Sequence, residues 1–196
     1  MPGDVRIEHL LTSDDDVLNN VWLIGDDDEV LVIDAPHDAA PIVEAIGGRR
    51  VTAIVLTHGH NDHITAAVAL REATGAPVWF HPKDRMLWDV VHPDAEPDEA
   101  LAEGTTFTVA GTTLTALHTP GHSPGSTCLH APDLGTVFTG DTLFCGGPGA
   151  TGRSFSDKPT ILSSIRTRLL TLPGDTVVRT GHGDDTTVAA ETPNIS

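Results

Sequence analysis

Tyrosine is absent from this chain of 196 residues, aromatic residues make up only 4% of it, and there are just two cysteines. Cys128 and Cys145 cannot staple a disulfide scaffold, and neither belongs to a Cys-x-x-Cys pair. Thiol usage of this kind suits a reducing compartment, and a cytoplasmic location is the expectation. No apolar run approaches the length that a membrane-spanning helix needs. The first residues, Met1 to His9, lack a basic n-region and an apolar h-region and do not read as a secretory signal. Basic residues are scarce too: 11 lysines and arginines face 28 aspartates and glutamates, a formal net charge of −17. A surface this negative serves solubility and repels phosphate backbones, so nucleic acid is not an expected partner. The runs Asp14-Asp15-Asp16 and Asp26-Asp27-Asp28 lack the ligand spacing of a calcium loop and read as solvated turns.

The chain shows no internal repeat and no Pro/Gly/Ser linker, so residues 1–196 read as one domain with a sizeable core. Short runs rich in valine, isoleucine and leucine recur, each bounded by Gly, Pro or Asp, as strands are. They are Val21–Ile24, Val30–Ile33, Val51–Leu56, Pro77–Phe80, Phe107–Val109, Leu114–Leu117, Thr127–His130, Thr136–Phe138 and Val177–Arg179. Helical apolar spacing is confined to Ala39–Ile46, Ile64–Ala73 and Thr160–Leu170. Strands with helices inserted between them imply an α/β domain of sheets covered by helices.

Histidine is the compositional anomaly, with 11 copies. Thr57-His58-Gly59-His60-Asn61-Asp62-His63 follows the strand Val51–Leu56 directly and precedes a helix beginning near Ile64. On extended chain His58 and His60 point the same way, and Asp62 and His63 converge after the turn. Imidazole and carboxylate together suit zinc, iron or manganese. At this chain's own His and Asp content, His-x-His-x-Asp-His arises by chance in roughly three chains per thousand, so an accidental cluster is the weaker reading. Three further segments repeat the arrangement of a His or Asp in a Gly-rich turn after an apolar strand. They are Thr119-Pro120-Gly121-His122, Phe138-Thr139-Gly140-Asp141-Thr142-Leu143 and Thr180-Gly181-His182-Gly183. Glycine before each candidate ligand lets the backbone bend towards a shared centre.

In this order and spacing the four segments resemble the metallo-β-lactamase superfamily, and within it the glyoxalase II-like hydrolases. The resemblance runs from the strand ending at Asp34 to Thr187 and implies an αββα sandwich, two mixed β-sheets flanked by helices. It further implies one metal on His58, His60 and His122 and a second on Asp62, His63 and His182, with Asp141 bridging them. Asp34 matches the family's carboxylate beneath the site, although a helix cap or turn role before Pro36 explains it equally well. Two divalent ions, zinc first and iron or manganese next, would hold a bridging water and lower its pKa towards about 7. Hydrolysis of a small-molecule thioester or ester follows, with Asp62 and Asp141 as the catalytic carboxylates.

Departures from the family pattern narrow the substrate. Asp141 stands where many true β-lactamases carry cysteine, which argues against antibiotic hydrolysis as the primary role. The C-terminal helical region that grips glutathione in glyoxalase II is not expected in a chain ending at Ser196, and tyrosines that hold such substrates do not exist here. Thr65 occupies a position expected as glycine. Arg153, on the stretch Gly146–Ser156, is a candidate for a substrate carboxylate, though a solvated surface charge is the simpler reading. His9, His37, His81, His92, His118 and His130 match no ligand pattern, and Cys145 reads as a small buried residue. The runner-up is a persulfide dioxygenase-like oxidoreductase with one iron on His58, His122 and Asp141. A non-catalytic metal-binding relative is the third reading, weakened by the intact ligand set.

Overall fold

The computed structural model describes residues 3–195. Its central strands are buried on both faces, which is why they read in sequence as apolar runs without strict alternation. One sheet takes its strands in chain order: β1 (Arg6–Asp14), β2 (Val17–Gly25), β3 (Glu29–Ile33), β4 (Arg50–Val55), β5 (Val78–Phe80) and β6 (Glu99–Ala100). The first three pair antiparallel and the rest parallel. In the second sheet β7 (Thr106–Val109), β8 (Thr112–His118), β9 (Thr127–Ala131) and β10 (Thr136–Gly140) form an antiparallel meander. The chain then makes a small hairpin, β11 (Leu143–Phe144) with β12 (Gly147–Pro148), before β13 (Val177–Thr180) adds parallel to β10 and β14 (Thr186–Thr187) closes the edge. Both sheets are therefore mixed.

Successive residues of each strand serve different layers. Val21 and Leu23 of β2, Val30 and Val32 of β3, and Ile54 of β4 pack outward. They meet α1 (Ala39–Ile46), α2 (Asn61–Ile64), α3 (Ala67–Thr74) and α4 (Arg85–Val91) through Ile42, Ile64, Leu70 and Trp88. Trp22, Ile24, Leu31, Ile33 and Val55 point the other way, onto Phe107, Leu114, Leu129 and Phe138 of the second sheet. Cys128, Val137 and Val178 face the opposite flank, where α5 (Lys158–Ser164), its π-helical continuation Ile165–Leu169 and α6 (Val188–Glu191) cover them. The result is the expected αββα sandwich.

The sequence reading missed β1 and α4 and misplaced Cys145. β1 is an edge strand of mixed exposure, so it carries no apolar run. The helix expected over Ile64–Ala73 starts earlier and breaks at Thr65-Ala66 into α2 and α3, so Asp62 and His63 lie on a helical turn. Cys145 is exposed, not buried, because Phe144 pairs with Gly147 and leaves Cys145-Gly146 as the hairpin's two-residue turn.

Phe138 is fully buried between the sheets, whereas Val90 on α4 is 81% exposed. Phe138→Ala is expected to lower stability by about 3–5 kcal/mol in urea unfolding, and Val90→Thr to change it by about 0.5 kcal/mol or less.

Candidate metal centre

Strands β3, β4, β8, β10 and β13 end at one rim, and each delivers polar side chains just beyond its C-terminal end. From β3 comes Asp34, a non-glycine residue in the left-handed region with φ 67. Its Oδ1 accepts from the Thr57 backbone N–H at 2.8 Å, and its Oδ2 accepts from the Thr57 hydroxyl at 2.9 Å. The same Oδ2 lies 2.8 Å from His63 Nδ1. The cap of α1 is Asp38, not Asp34, so the helix-cap reading of Asp34 falls away. At the end of β10, Gly140 adopts φ 52, where an added Cβ would lie 2.7 Å from the Thr57 side chain. Gly181 avoids the left-handed region, and its reason is space: a Cβ there would stand 2.4 Å from Asp141 Oδ1.

The seven sequence-predicted ligands come together. His58, His60 and His122 form one group whose ligand atoms lie within 4.8 Å of one another, and Asp62, His63 and His182 form another. Asp141 stands between them, with Oδ2 3.7 Å from His58 Nε2, 3.5 Å from His122 Nε2 and 3.4 Å from His182 Nε2, and Oδ1 3.2 Å from His63 Nε2. Four of the five imidazoles are held from behind through Nδ1, which turns Nε2 inward. His63 is held by Asp34, His58 by the Thr57 hydroxyl at 3.0 Å, His122 by the Ala150 carbonyl at 2.7 Å and His182 by the Leu18 carbonyl at 2.6 Å.

That inward crowding fits a cation. His60 Nδ1 and His122 Nε2 are 3.0 Å apart, as are His63 Nε2 and His182 Nε2 at 3.1 Å, pairs of basic nitrogens that need a proton or metal between them. His58 Nε2 and Asp141 Oδ1 are buried with no hydrogen-bond partner among the described residues, a costly state unless a bound ion satisfies them. Protons show the same demand. Burial and the neighbouring imidazoles hold His58 well below the ordinary histidine range and His60 at about 4. Burial opposes charge on His63 and His182 as well, but Asp141 and Asp34 lift His63 well above that range, and hydrogen bonds to Asp141 and Asp62 lift His182 to about 10. Positive charge, in the form of protons, is thus drawn to where cations would sit.

Three supporting residues escaped the sequence reading. Asp84, fully buried, accepts from the Gly59 N–H at 2.9 Å, the Gly125 N–H at 2.5 Å and the Ser123 hydroxyl at 2.7 Å. It ties the His58–His63 loop to the His122 loop. Asn19 donates to the Asp62 carbonyl at 2.9 Å, and His37 lies 2.8 Å from Asn19 Oδ1, which brings a histidine without a ligand pattern up to the site. A lone Asp, Asn or His with only distant partners leaves no local pattern to find. Above the cluster opens a cleft of about 350 Å³ walled by Phe144, Ala150 and Arg153 as well as ligands. Of the remaining histidines, His9 stacks on Trp22 at 4.6 Å, His81 on His118 at 4.3 Å, and His92 meets the Ile64 carbonyl at 2.7 Å.

An αββα sandwich with a His/Asp cluster at the strand ends of one rim defines a metal-dependent hydrolase class. The chain belongs to the metallo-β-lactamase superfamily, which it matches over residues 14–182. It is 36% identical over 186 residues to the probable metallo-hydrolase YqgX of Bacillus subtilis, with 88% of each chain covered. With hydroxyacylglutathione hydrolase GloC of Haemophilus influenzae it shares 34% identity over 188 residues, 88% of this chain and 89% of that one. Among solved structures, the B3 metallo-β-lactamase BLEG-1 superposes with a TM-score of 0.86 at 29% identity, covering 97% of this chain and 98% of that one. The di-iron-bound form of TTHA1623 gives 0.81 at 31% identity, over 95% and 98%. Among the described residues no helix is long and apolar enough to cross a membrane.

A pH signature follows from His182, whose folded-state pKa of about 10 lies above its ordinary 6.5. Its contribution is fully present below pH 6.5 and is lost as pH rises through about 10. Metal-stripped protein is therefore expected to lose melting temperature between those values, and zinc addition to abolish the loss while releasing protons. Differential scanning calorimetry across that range, with and without zinc, checks both.

Proposed function

We propose that this chain hydrolyses small-molecule thioesters or closely related esters with two divalent cations, zinc first and iron or manganese next. The observation that carries the reading is the pair of ligand groups flanking Asp141, whose two oxygens face both. His58, His60 and His122 would hold one cation, and Asp62, His63 and His182 the other, with Asp141 shared. When bound, such a pair lowers the pKa of water towards about 7 and polarises a carbonyl.

The chain's own residues supply the rest. Asp34 holds the His63 ring in one orientation and raises its basicity through the Nδ1 contact at 2.8 Å. The hydrogen bond from His182 draws the Asp62 carboxyl below the usual carboxylate range against the effect of burial, so it stays an anion that can accept a hydrogen bond from the attacking water and orient it. Arg153 lines the cleft beside His60 and Asp62, where its guanidinium can pair with a substrate carboxylate. Likeness to a hydroxyacylglutathione hydrolase over most of both chains supports an acyl thioester. The carrier need not be glutathione, since no tyrosine is available to grip it. Such a role fits a cytoplasmic enzyme acting without nucleic acid or membrane.

Elemental analysis of protein purified without added metal is expected to give about two zinc atoms per chain, and a thioester panel to show turnover. Losing even a partner behind a ligand costs about 10–100-fold. Asp141→Ala and His60→Ala should therefore each lower kcat/KM by more than about 100-fold, and undiminished activity would sink the proposal. One iron per chain with oxygen uptake on persulfides would instead favour an oxidoreductase centred on His58, His122 and Asp141. Arg153→Ala is expected to raise KM about tenfold while leaving kcat within about twofold, the pattern of lost ground-state binding, in steady-state kinetics on an anionic thioester.

A further inference from the structure

Behind Asp62 stand two polar side chains that the cation ligands themselves do not require. Asn19, fully buried at the start of β2, sends its Nδ2 to the Asp62 carbonyl at 2.9 Å and to Asp62 Oδ2 at 3.2 Å, and that Nδ2 lies 3.5 Å from His63 Nε2. On its other side, Asn19 Oδ1 is 2.8 Å from His37 Nε2. An amide has one donor end and one acceptor end, and here the two ends meet chemically distinct partners. Were the amide reversed, its carbonyl oxygen would face both the carboxylate and the main-chain carbonyl of Asp62, a repulsive arrangement. His37 Nε2 must then carry the proton that Asn19 Oδ1 accepts.

The backbone at His37 shows that this side chain is retained against a local cost. Its φ is 60, the left-handed region where glycine sits freely and a histidine does not. A strained residue held beside a site points to a role there. The surrounding turn is pinned to the ligand helix, with the Ala35 N–H donating to the His63 carbonyl at 3.0 Å and the Ala66 N–H to the Ala35 carbonyl at 2.9 Å.

We infer that Asn19 and His37 are positioning residues for Asp62: His37 anchors the oxygen end of the Asn19 amide, and the amide holds the Asp62 carboxylate in register with His63 and His182. The inference rests on Asp62 belonging to the donor set of the second cation. Held in this way, Asp62 Oδ2 stands 3.2 Å from His182 Nε2 and 3.5 Å from His63 Nε2, so the three atoms face one another before any ion arrives. Released, the carboxylate would turn to solvent, because Asp62 is only partly buried. The second ion would then bind more weakly while the His58, His60 and His122 group kept its own.

The test is stepwise zinc titration of the metal-stripped full chain against a chromophoric chelator, read beside the melting temperature. Wild type should take up two zinc ions. Asn19→Ala should weaken the second step about 10–100-fold and leave the first within about threefold. His37→Gly should weaken the second step about tenfold while leaving the melting temperature unchanged or higher, since glycine relieves the backbone. His37→Gln keeps a donor for Asn19 Oδ1 and should recover most of the affinity. Should Asn19→Ala fail to fold, the two His37 variants carry the test. Second-site affinity equal to wild type in Asn19→Ala and His37→Gly would overturn the inference, as would a lower melting temperature with affinity intact, which marks a purely structural role. If wild type itself binds one zinc and Asp62→Ala binds it equally well, the two-cation reading fails first and takes the inference with it.

Discussion

Four imidazoles are turned inward on one buried carboxylate, Asp141, a fifth, His60, crowds against His122, and the repulsion among their nitrogens is the constraint that the rest of the molecule answers. Basic nitrogens about 3 Å apart without a cation between them push each other away. Only an outer layer of fixed partners holds them together. Asp34, the Thr57 hydroxyl and the carbonyls of Ala150 and Leu18 occupy the far nitrogens. Asp84 clamps the two loops that carry His58, His60 and His122. These partners lie on elements far apart in the chain, so the rim cannot form until both sheets have closed on one another. Ions bound there would stabilise only the closed rim, which would couple their binding to folding.

The sandwich supplies the rigidity that this arrangement demands. Both sheets are buried on two faces, and ligands leave from strand ends fixed from above and below by packed layers. The pairing of β1 with β2 does more than extend a sheet. The Leu18 carbonyl orients His182, Asn19 reaches Asp62, and Asn20 donates to the Thr180 carbonyl at 3.0 Å and the Gly183 carbonyl at 2.9 Å. Leu18 and Asn20 of the first sheet thus hold a ligand loop of the second, while Asn19 between them holds a ligand loop of its own sheet. Trp22, a few residues on, donates its indole N–H to the same Thr180 carbonyl at 3.0 Å.

What could be read from the sequence, and what could not, divides along the range of the interactions. Strands β2, β3 and β4 announce themselves because burial on both faces writes valine, isoleucine and leucine without interruption. The ligands announce themselves because several sit within a few residues of one another, next to glycines that must be glycines. Gly181 shows the limit of that second signal, since it reads as a bend and is in fact a gap left for Asp141. Edge strand β1 half faces solvent and has no apolar pattern. Asp84 acts on residues 25 and 41 positions away, and Asn19 on one 43 away, so neither has neighbours in sequence that betray it. The left-handed backbone at His37 is likewise a property of the folded turn.

Charge decides how these parts work together on a substrate. A chain of net charge −17 repels anions at a distance, yet an anionic thioester of the kind proposed above would have to approach this cleft. Arg153 alone is a single exposed guanidinium and cannot reverse that field. Two divalent ions bound as proposed would reverse it, because they would place four positive charges against the carboxylates of Asp62 and Asp141 at the base of the cleft. On that proposal the ions needed for chemistry would also make the cleft attractive to an anionic substrate, and Arg153 would add direction, not net attraction. That division would reconcile so acidic a surface with an anionic substrate: away from the rim the negative charge turns anionic molecules aside, and ions bound at the rim would hold them there.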